Sequence, residues 1–477
     1  MVARALTLWL TGITARRVDV EAHVADGLPS FVVVGLADRA VQEARQRVRS
    51  GMTSAEFRFP IKRLTVNLAP AQERKEGSGF DLAIALALLA ASGQAPRERV
   101  ARVAAAAELG LDGGLRPVRG ALAMAEAAGR VGVDALVVAP GSAAEAAMAG
   151  TVPVISARSL RHVVDILADR DEPDPIPDAP RAVTTVAPDL ADVRGQPRAR
   201  RALEIAAAGG HNLLMTGPPG SGKTMLARRL TGILPPPAPD EVLEITRIHS
   251  AAGLLAPGTR LDGRPFRAPH HSASAAALVG GARLRPGEVT LAHRGVLFLD
   301  ELPEFNRAAL EALRMPLEDG EVLVSRVAGS VRLPARCMVV AAMNPCPCGL
   351  AGDPDRECIC PPQRLHAYAA RVSGPLLDRL DLRVEAPRAD AHAAAGEATS
   401  AVARRVAVAR RRLTDDPPAV SEAARALLDR AVEGMLLSGR GSDRARRVAA
   451  TIAALAGAET ASADHMAEAL SFRGAAA

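Results

Sequence analysis

The segment GPPGSGKT, Gly217 to Thr224, lies between an apolar run, Leu213-Leu214-Met215, and a helix-forming stretch, Met225 to Leu230. A glycine-rich loop joining a buried strand to a helix is the setting of a phosphate-binding P-loop. Gly217, Gly220 and Gly222 let the backbone turn its amides inward around phosphate oxygens, and the helix that follows adds its positive end. The spacing makes Gly217, Pro218, Pro219, Gly220, Ser221 and Gly222 the cradle, Lys223 the contact to the β- and γ-phosphates and Thr224 a ligand of Mg²⁺. A plain turn before a helix explains the glycines but not Lys-Thr at this place. ATP and Mg²⁺ are therefore the expected cofactors.

A phosphate cradle needs a metal ligand and a base from elsewhere in the chain, and GVLFLDELPEF, Gly295 to Phe305, supplies both types of group. Val296 to Leu299 reads as a strand buried on both faces that ends in two carboxylates. Asp300 is expected to complete the Mg²⁺ shell and Glu301 to polarise the attacking water. The bland alternative is a pair of acids that merely end a strand.

The chain has 477 residues, enough for about three ordinary domains. Aromatic residues make up only 2%, which weighs against base stacking as a main mode of binding. Net charge is +6, from 59 Lys+Arg against 53 Asp+Glu, and nearly all the bases are arginine. That balance permits a polyanionic partner without proving one, because codon usage also enriches arginine. Ala5 to Leu10 is too short and wrongly flanked for a signal peptide, and Leu82 to Ala91 is too short to span a bilayer. A soluble, cytoplasmic protein with no membrane partner is expected. Five cysteines, four of them clustered, do not make a disulfide scaffold.

Residues 1–170 alternate strand-like stretches (Phe31 to Gly35, Leu64 to Leu68, Leu136 to Pro140, Val152 to Ile155) with helical ones, Arg39 to Ser50 and a buried helix after Gly77, and so read as an α/β domain. Residues 171–186 are a linker rich in proline and acid. Residues 187–390 carry the P-loop and the paired carboxylates in an α/β core. Residues 391–477 read as helices over Ala401 to Leu413, Ser421 to Leu437, Asp443 to Leu455 and Ala463 to Phe472.

The run KRLTVNLAPAQERKEGSGFDLAIALALLAASGQ from Lys62, and RPFRAPHHSASAAALVGGARLRPGEVTLAHRG from Arg264, resemble the ComM/YifB family of magnesium-chelatase-like AAA+ ATPases. The resemblance covers nearly the whole chain. It implies an N-terminal domain of the Lon-like, ribosomal-protein-type α/β fold, an AAA+ P-loop core with a parallel sheet, and a C-terminal helical lid. It also implies a hexameric ring of identical subunits that acts on DNA as a helicase or branch-migration factor in recombination or DNA uptake. The alternatives are the ATPase subunit of a magnesium chelatase and a regulatory ATPase with a protein client.

Further roles follow from the resemblance. Asn344 is placed as sensor 1, which orients the attacking water. Arg379, in SGPLLDRLDLRVEAP, resembles an arginine finger that reaches the neighbouring subunit. Arg440, with Arg444 and Arg447 in reserve, stands for the sensor-2 contact to the γ-phosphate. Val193 and Gln196 fall where the adenine ring is expected. Arg264 to Gly295 corresponds to a helix-2 insert facing a central pore, and the hairpin bearing Ser325, Arg326 and Arg332 to a pre-sensor hairpin. Proteolysis of the Lon type is not expected, because Leu122 stands where the lysine base is needed and Ser78 fits the serine motif poorly.

Three groups stay open. Lys62, Arg63, Arg74 and Lys75 could touch nucleic acid or form a solvated face. His270, His271 and His293 invite a metal, but adjacent histidines do not point naturally to one centre. Cys346, Cys348, Cys358 and Cys360, two Cys-x-Cys pairs, suit a tetrahedral Zn²⁺ site or a set of free or redox-active thiols.

Overall fold

The structure is a computed structural model and describes residues 1–35, 39–71, 75, 77–184, 187–281, 284–326, 329–353, 356–388, 393–435 and 437–473. Arg74 and the side chain of Arg326 lie outside the described residues.

Two sheets organise the chain. The first has seven strands in the order Ser30–Val34, Arg63–Ala69, Thr14–Ala25, Val2–Thr11, Val103–Ala106, Ala135–Val138, Val154–Ser156. Val2–Thr11 and Thr14–Ala25 form an antiparallel hairpin in full register from Val2 opposite His23 to Thr11 opposite Thr14, and this hairpin is the middle of the sheet. Arg63–Ala69 alternates inward and outward, so Leu64, Val66 and Leu68 face the core. Helix Asp81–Ala91 is buried along its whole length on one face of the sheet, and helix Ala121–Val131 covers the other. Asp81, fully buried, accepts from Arg47 Nε at 2.6 Å and Nη2 at 3.0 Å. Burial raises the Asp81 pKa and Arg47 opposes it, so this is a paired interior charge that would be costly if left alone.

The second sheet is parallel throughout, in the order Phe266–Arg267, Val296–Leu299, Met338–Met343, Leu213–Thr216, Leu382–Glu385. Its strands are short apolar runs, as expected where both faces are covered. Helices Pro197–Gly209 and Lys223–Ile233 share one core with it and with the C-terminal helices Thr399–Asp415, Glu422–Met435, Gly439–Ala456 and Ala463–Ser471. Ser438 caps the third of these by accepting from the Gly441 amide, so that helix starts four residues before the expected Asp443. The single helix expected over Leu310 to Leu317 is instead two, Arg307–Ala312 and Arg314–Asp319. Pro316 has no N–H to continue the first helix but fits the opening turn of the second.

The two sheets are joined by polar and apolar contacts. Ser250 Oγ, on helix Pro239–Ala252, donates to Glu145 at 2.6 Å and accepts from the Gly120 amide at 3.0 Å. Arg247 pairs with Glu126 at 3.0 Å. Ile13, at the turn of the N-terminal hairpin, is 3% exposed and belongs to the core that holds Leu284, Val324 and Leu333. Among the described residues, no helix is long and apolar enough to cross a membrane.

His211 leads into strand Leu213–Thr216 and lies 2.9 Å from the Thr451 hydroxyl on helix Gly439–Ala456, which ties the parallel sheet to the C-terminal helices. Burial pushes its imidazole down to about 4 from 6.5. Below the unfolded value the unfolded chain takes up a proton that the folded chain refuses. This group therefore withdraws stability as pH falls from 6.5 toward 4, by up to about 1.4 kcal/mol per pH unit. Urea titrations across that window should show a shallower acid decline for His211→Gln than for the unaltered chain.

Candidate nucleotide site

The carboxyl ends of three adjacent parallel strands carry the chemistry. Thr216 is paired with Met343 and Leu299 with Ala341, so the loops that follow these strands leave the sheet side by side. They are the P-loop, the Asp300-Glu301 pair and the Asn344 segment.

The P-loop turns tightly after Thr216. A Cβ at Gly217 would lie 2.1 Å from the Ala386 carbonyl oxygen, so only glycine fits. Helix Lys223–Ile233 begins after Gly222 with no side-chain cap, which leaves its first amides for an anion. Lys223 Nζ donates to the carbonyls of Gly217 at 2.6 Å and Pro218 at 2.9 Å and to Asn344 Oδ1 at 3.3 Å. Burial lowers its pKa, with Asp300 opposing, so the ammonium is short of solvent and charge-matched to a phosphate. Thr224 Oγ1 donates to Asp300 Oδ2 at 2.7 Å, which puts two oxygen ligands of the kind Mg²⁺ prefers side by side. Gln196, 6% exposed, donates from Nε2 to the Ser221 carbonyl at 2.6 Å and to the Pro387 carbonyl at 3.0 Å. Its Oε1 is buried without a hydrogen-bond partner beside the P-loop, where it could accept from a base amino group. Val193 is fully buried in the adjoining core.

Glu301 follows in the left-handed region, φ 52°, and its half-exposed carboxylate meets His271 Nδ1 at 3.1 Å. Sequence reasoning weighed His271 only as a metal ligand; the structure makes it the partner of the expected base. His270 lies 2.8 Å from the Ser272 hydroxyl. His293 is spent elsewhere: Nδ1 accepts from the Arg336 amide at 3.1 Å and Nε2 meets Glu244 at 3.0 Å. The three histidines therefore form no common centre.

Arg379 is 6% exposed and donates to the carbonyls of Arg314 at 3.1 Å and Pro375 at 2.8 Å and to Glu318. Arg440 pairs with the same Glu318 at 2.8 Å. Arg379 foremost holds that carboxyl below its usual range. Glu318 thus gathers the expected finger and the expected sensor 2, whereas Lys223 is held by P-loop carbonyls and Asn344. Arg444 and Arg447 face Asp381 at 3.5 Å and 3.4 Å. No local motif marked Glu318, because it acts through residues about 60 and 120 positions away.

Cys346, Cys348, Cys358 and Cys360 are free thiols whose sulfurs all lie within 4.8 Å of one another, and among the described residues this is the one such cluster of metal-ligand atoms. Ser78 donates to Glu108, and Leu122 is buried in helix Ala121–Val131. Lys75 is fully buried and donates to the Pro70 carbonyl, which removes it from any nucleic-acid surface, whereas Lys62 and Arg63 are exposed.

Asparagine at position 300 can still accept from Thr224, so Asp300→Asn should fold normally while losing the charge that a hard cation needs. A fluorescent ATP analogue should bind the unaltered chain at least about tenfold more tightly with Mg²⁺ than with EDTA, and the variant equally under both conditions.

Comparison with known proteins places this geometry. The family model for magnesium chelatase, subunit ChlI, matches residues 189–394; that for subunit ChlI of Mg-chelatase matches 20–142, and that for the ChlI C-terminal part 390–473. An uncharacterized protein of Mycobacterium tuberculosis is 46% identical over 98% of both chains. Protein YifB of Salmonella typhimurium is 42% identical over 97% of this chain and 95% of its own. Competence protein ComM of Haemophilus influenzae is 46% identical over 79% of this chain and 74% of its own. With its P-loop on a five-stranded parallel sheet and helices following it, the chain belongs to the ComM/YifB family of magnesium-chelatase-like AAA+ ATPases.

Proposed function

We propose that this AAA+ ATPase works as a homohexameric ring in the cytoplasm, hydrolysing ATP at subunit interfaces to move DNA, as a helicase or branch-migration factor in recombination or DNA uptake. One observation carries the reading: Lys223, Thr224, Asp300 and Asn344 converge at the carboxyl strand ends, while Arg379 and Arg440 meet on Glu318 and the Arg379 carbonyl accepts from Asn212, at the opposite, amino end of the strand that leads to the P-loop. An engine split in this way suits a site that two subunits complete together.

In this proposal the amides of Gly217 to Gly222 and the Lys223 ammonium hold the phosphates, and Thr224 and Asp300 hold Mg²⁺. Bound Mg²⁺ neutralises charge on the phosphates. Glu301 takes the proton of the attacking water once it leaves His271, and Asn344 orients that water. Arg379 of one subunit, with Arg440 beside it, neutralises charge that develops on the neighbour's γ-phosphate. Cys346, Cys348, Cys358 and Cys360 hold Zn²⁺.

DNA is supported by the name of the ComM relative, a competence protein, and by a concave surface of about 700 Å³ on the first sheet's domain, where Arg45, Arg49 and Lys62 line the same hollow as Phe31 and Phe59. The cationic side chains suit the phosphates of a nucleic acid, while the two rings pack on each other at 6.0 Å and Arg49 lies over Phe59. The matching models' descriptions favour the second reading, the ATPase subunit of a magnesium chelatase.

Mixing tests the shared site. Arg379→Ala rings and Lys223→Ala rings should each lose about 10³-fold in kcat, and co-assembled rings should regain activity where intact halves meet. Full activity of Arg379→Ala alone would sink the shared site. For the client, the ATPase rate with branched and single-stranded DNA should rise at low salt and the gain should fade as salt increases. A rate indifferent to DNA at low salt would favour the chelatase reading.

A further inference from the structure

We infer that Cys346, Cys348, Cys358 and Cys360 form a zinc knot that braces the nucleotide site, holding the P-loop and Asn344 in place; this rests on the zinc assignment proposed above. The sulfur geometry comes first. Cys346 Sγ lies 3.3 Å from Cys348 Sγ and 3.7 Å from Cys358 Sγ, and Cys348 Sγ lies 3.6 Å from Cys358 Sγ. A tetrahedral zinc with metal–sulfur bonds of about 2.3 Å separates its sulfurs by about 3.8 Å. A disulfide requires about 2.05 Å, so these atoms stand at ligand spacing and not at bonding distance. Four thiolates select zinc over the hard cations that oxygen ligands hold.

Apart from the sulfurs, the loop is tied by the Asp353–Arg388 ion pair at 3.2 Å, while many of its described residues face solvent. Pro347, Gly352, Arg356, Glu357 and Ile359 are exposed, and of the four cysteines only Cys346 is buried. A segment without an apolar core of its own is the kind that a metal cross-link stabilises.

Its position gives the knot a task. Cys346 comes two residues after Asn344, whose Oδ1 accepts from Lys223. Gly349, between the two cysteine pairs, adopts φ +80°, and a Cβ there would lie 2.4 Å from Pro219 Cδ. The backbone of the knot therefore rests directly on the P-loop, and the chain entering it carries the residue that meets the P-loop lysine. Release of the metal frees both contacts at once.

The test uses the full chain, purified with a thiol reductant, and reads nucleotide binding so that it does not depend on turnover. Elemental analysis should find a single zinc per chain, and Co²⁺ in its place should give the absorption bands of a tetrahedral thiolate site. Cys358→Ser/Cys360→Ser should lose the metal and weaken binding of a fluorescent Mg²⁺–ATP analogue about tenfold or more. Gly349→Ala should keep the metal and weaken binding comparably, because its Cβ displaces Pro219. Should the cysteine variant fail to fold, chelation of the unaltered chain followed by zinc return should weaken binding to the same extent and then restore it. A chain that neither contains nor takes up zinc overturns the zinc assignment and the brace with it. Zinc that can be removed with no change in nucleotide affinity overturns the brace alone. A chain that holds zinc and binds nucleotide through the knot yet hydrolyses no ATP leaves this inference standing and removes the motor.

Discussion

Parallel pairing of Leu213–Thr216 with Met338–Met343, and of that strand with Val296–Leu299, is the constraint on which the site depends. Parallel strands in register all end at the same edge, so residues more than a hundred positions apart in the chain are delivered to one crevice. Lys223 reaches Asn344, and Thr224 reaches Asp300, only because that register holds. The apolar strand residues that set it are almost fully buried, which makes a slip costly: a shift of one residue would move Phe298 out of the core it shares with Val340 to the face where Leu297 and Leu299 lie.

The same region is attached on several sides. Helices Thr399–Asp415 and Gly439–Ala456 share the core behind the P-loop, and Arg405 on the first of them pairs with Glu204 on helix Pro197–Gly209 at 2.6 Å. On the other side, Glu145 belongs to the first domain but accepts from Ser250 of the second. Burial raises its pKa, and the hydrogen bonds from Ser250 and the Leu122 amide oppose that rise. Ile13 enters the core beneath the hairpin of Glu321–Arg326 and Gly329–Pro334. The N-terminal hairpin is therefore in direct contact with this second hairpin.

His271 and Glu318 show how charge is kept in place within one chain. Glu301 leans on an imidazole, and Arg379 and Arg440 lean on one carboxylate. Each of these groups is expected to act on a phosphate or a water, and each has a local partner in this chain. An exchange of partners, from Glu318 to a phosphate or from His271 to a water, is the kind of two-state contact that can tie nucleotide binding to a change of shape.

The sequence by itself determined what depends on neighbouring residues. The loop Gly217 to Thr224, the acidic end of the strand at Asp300 and the clustered cysteines were legible, because their chemistry is carried by spacing within a few residues; the proline-rich stretch 171–186, read as a linker, instead contains strand Arg181–Val183, paired with Thr259–Leu261. Gln196 was also marked in advance, through the family resemblance. Tertiary structure alone decided that the first strands, Val2–Thr11 and Thr14–Ala25, form the middle of a sheet. It likewise buried Lys75, gave His271 to Glu301 and His293 to Glu244, and brought Arg379 to Arg440 through Glu318. These outcomes depend on which distant segments pair and which side chains are then left without water. Local spacing carries no information about either.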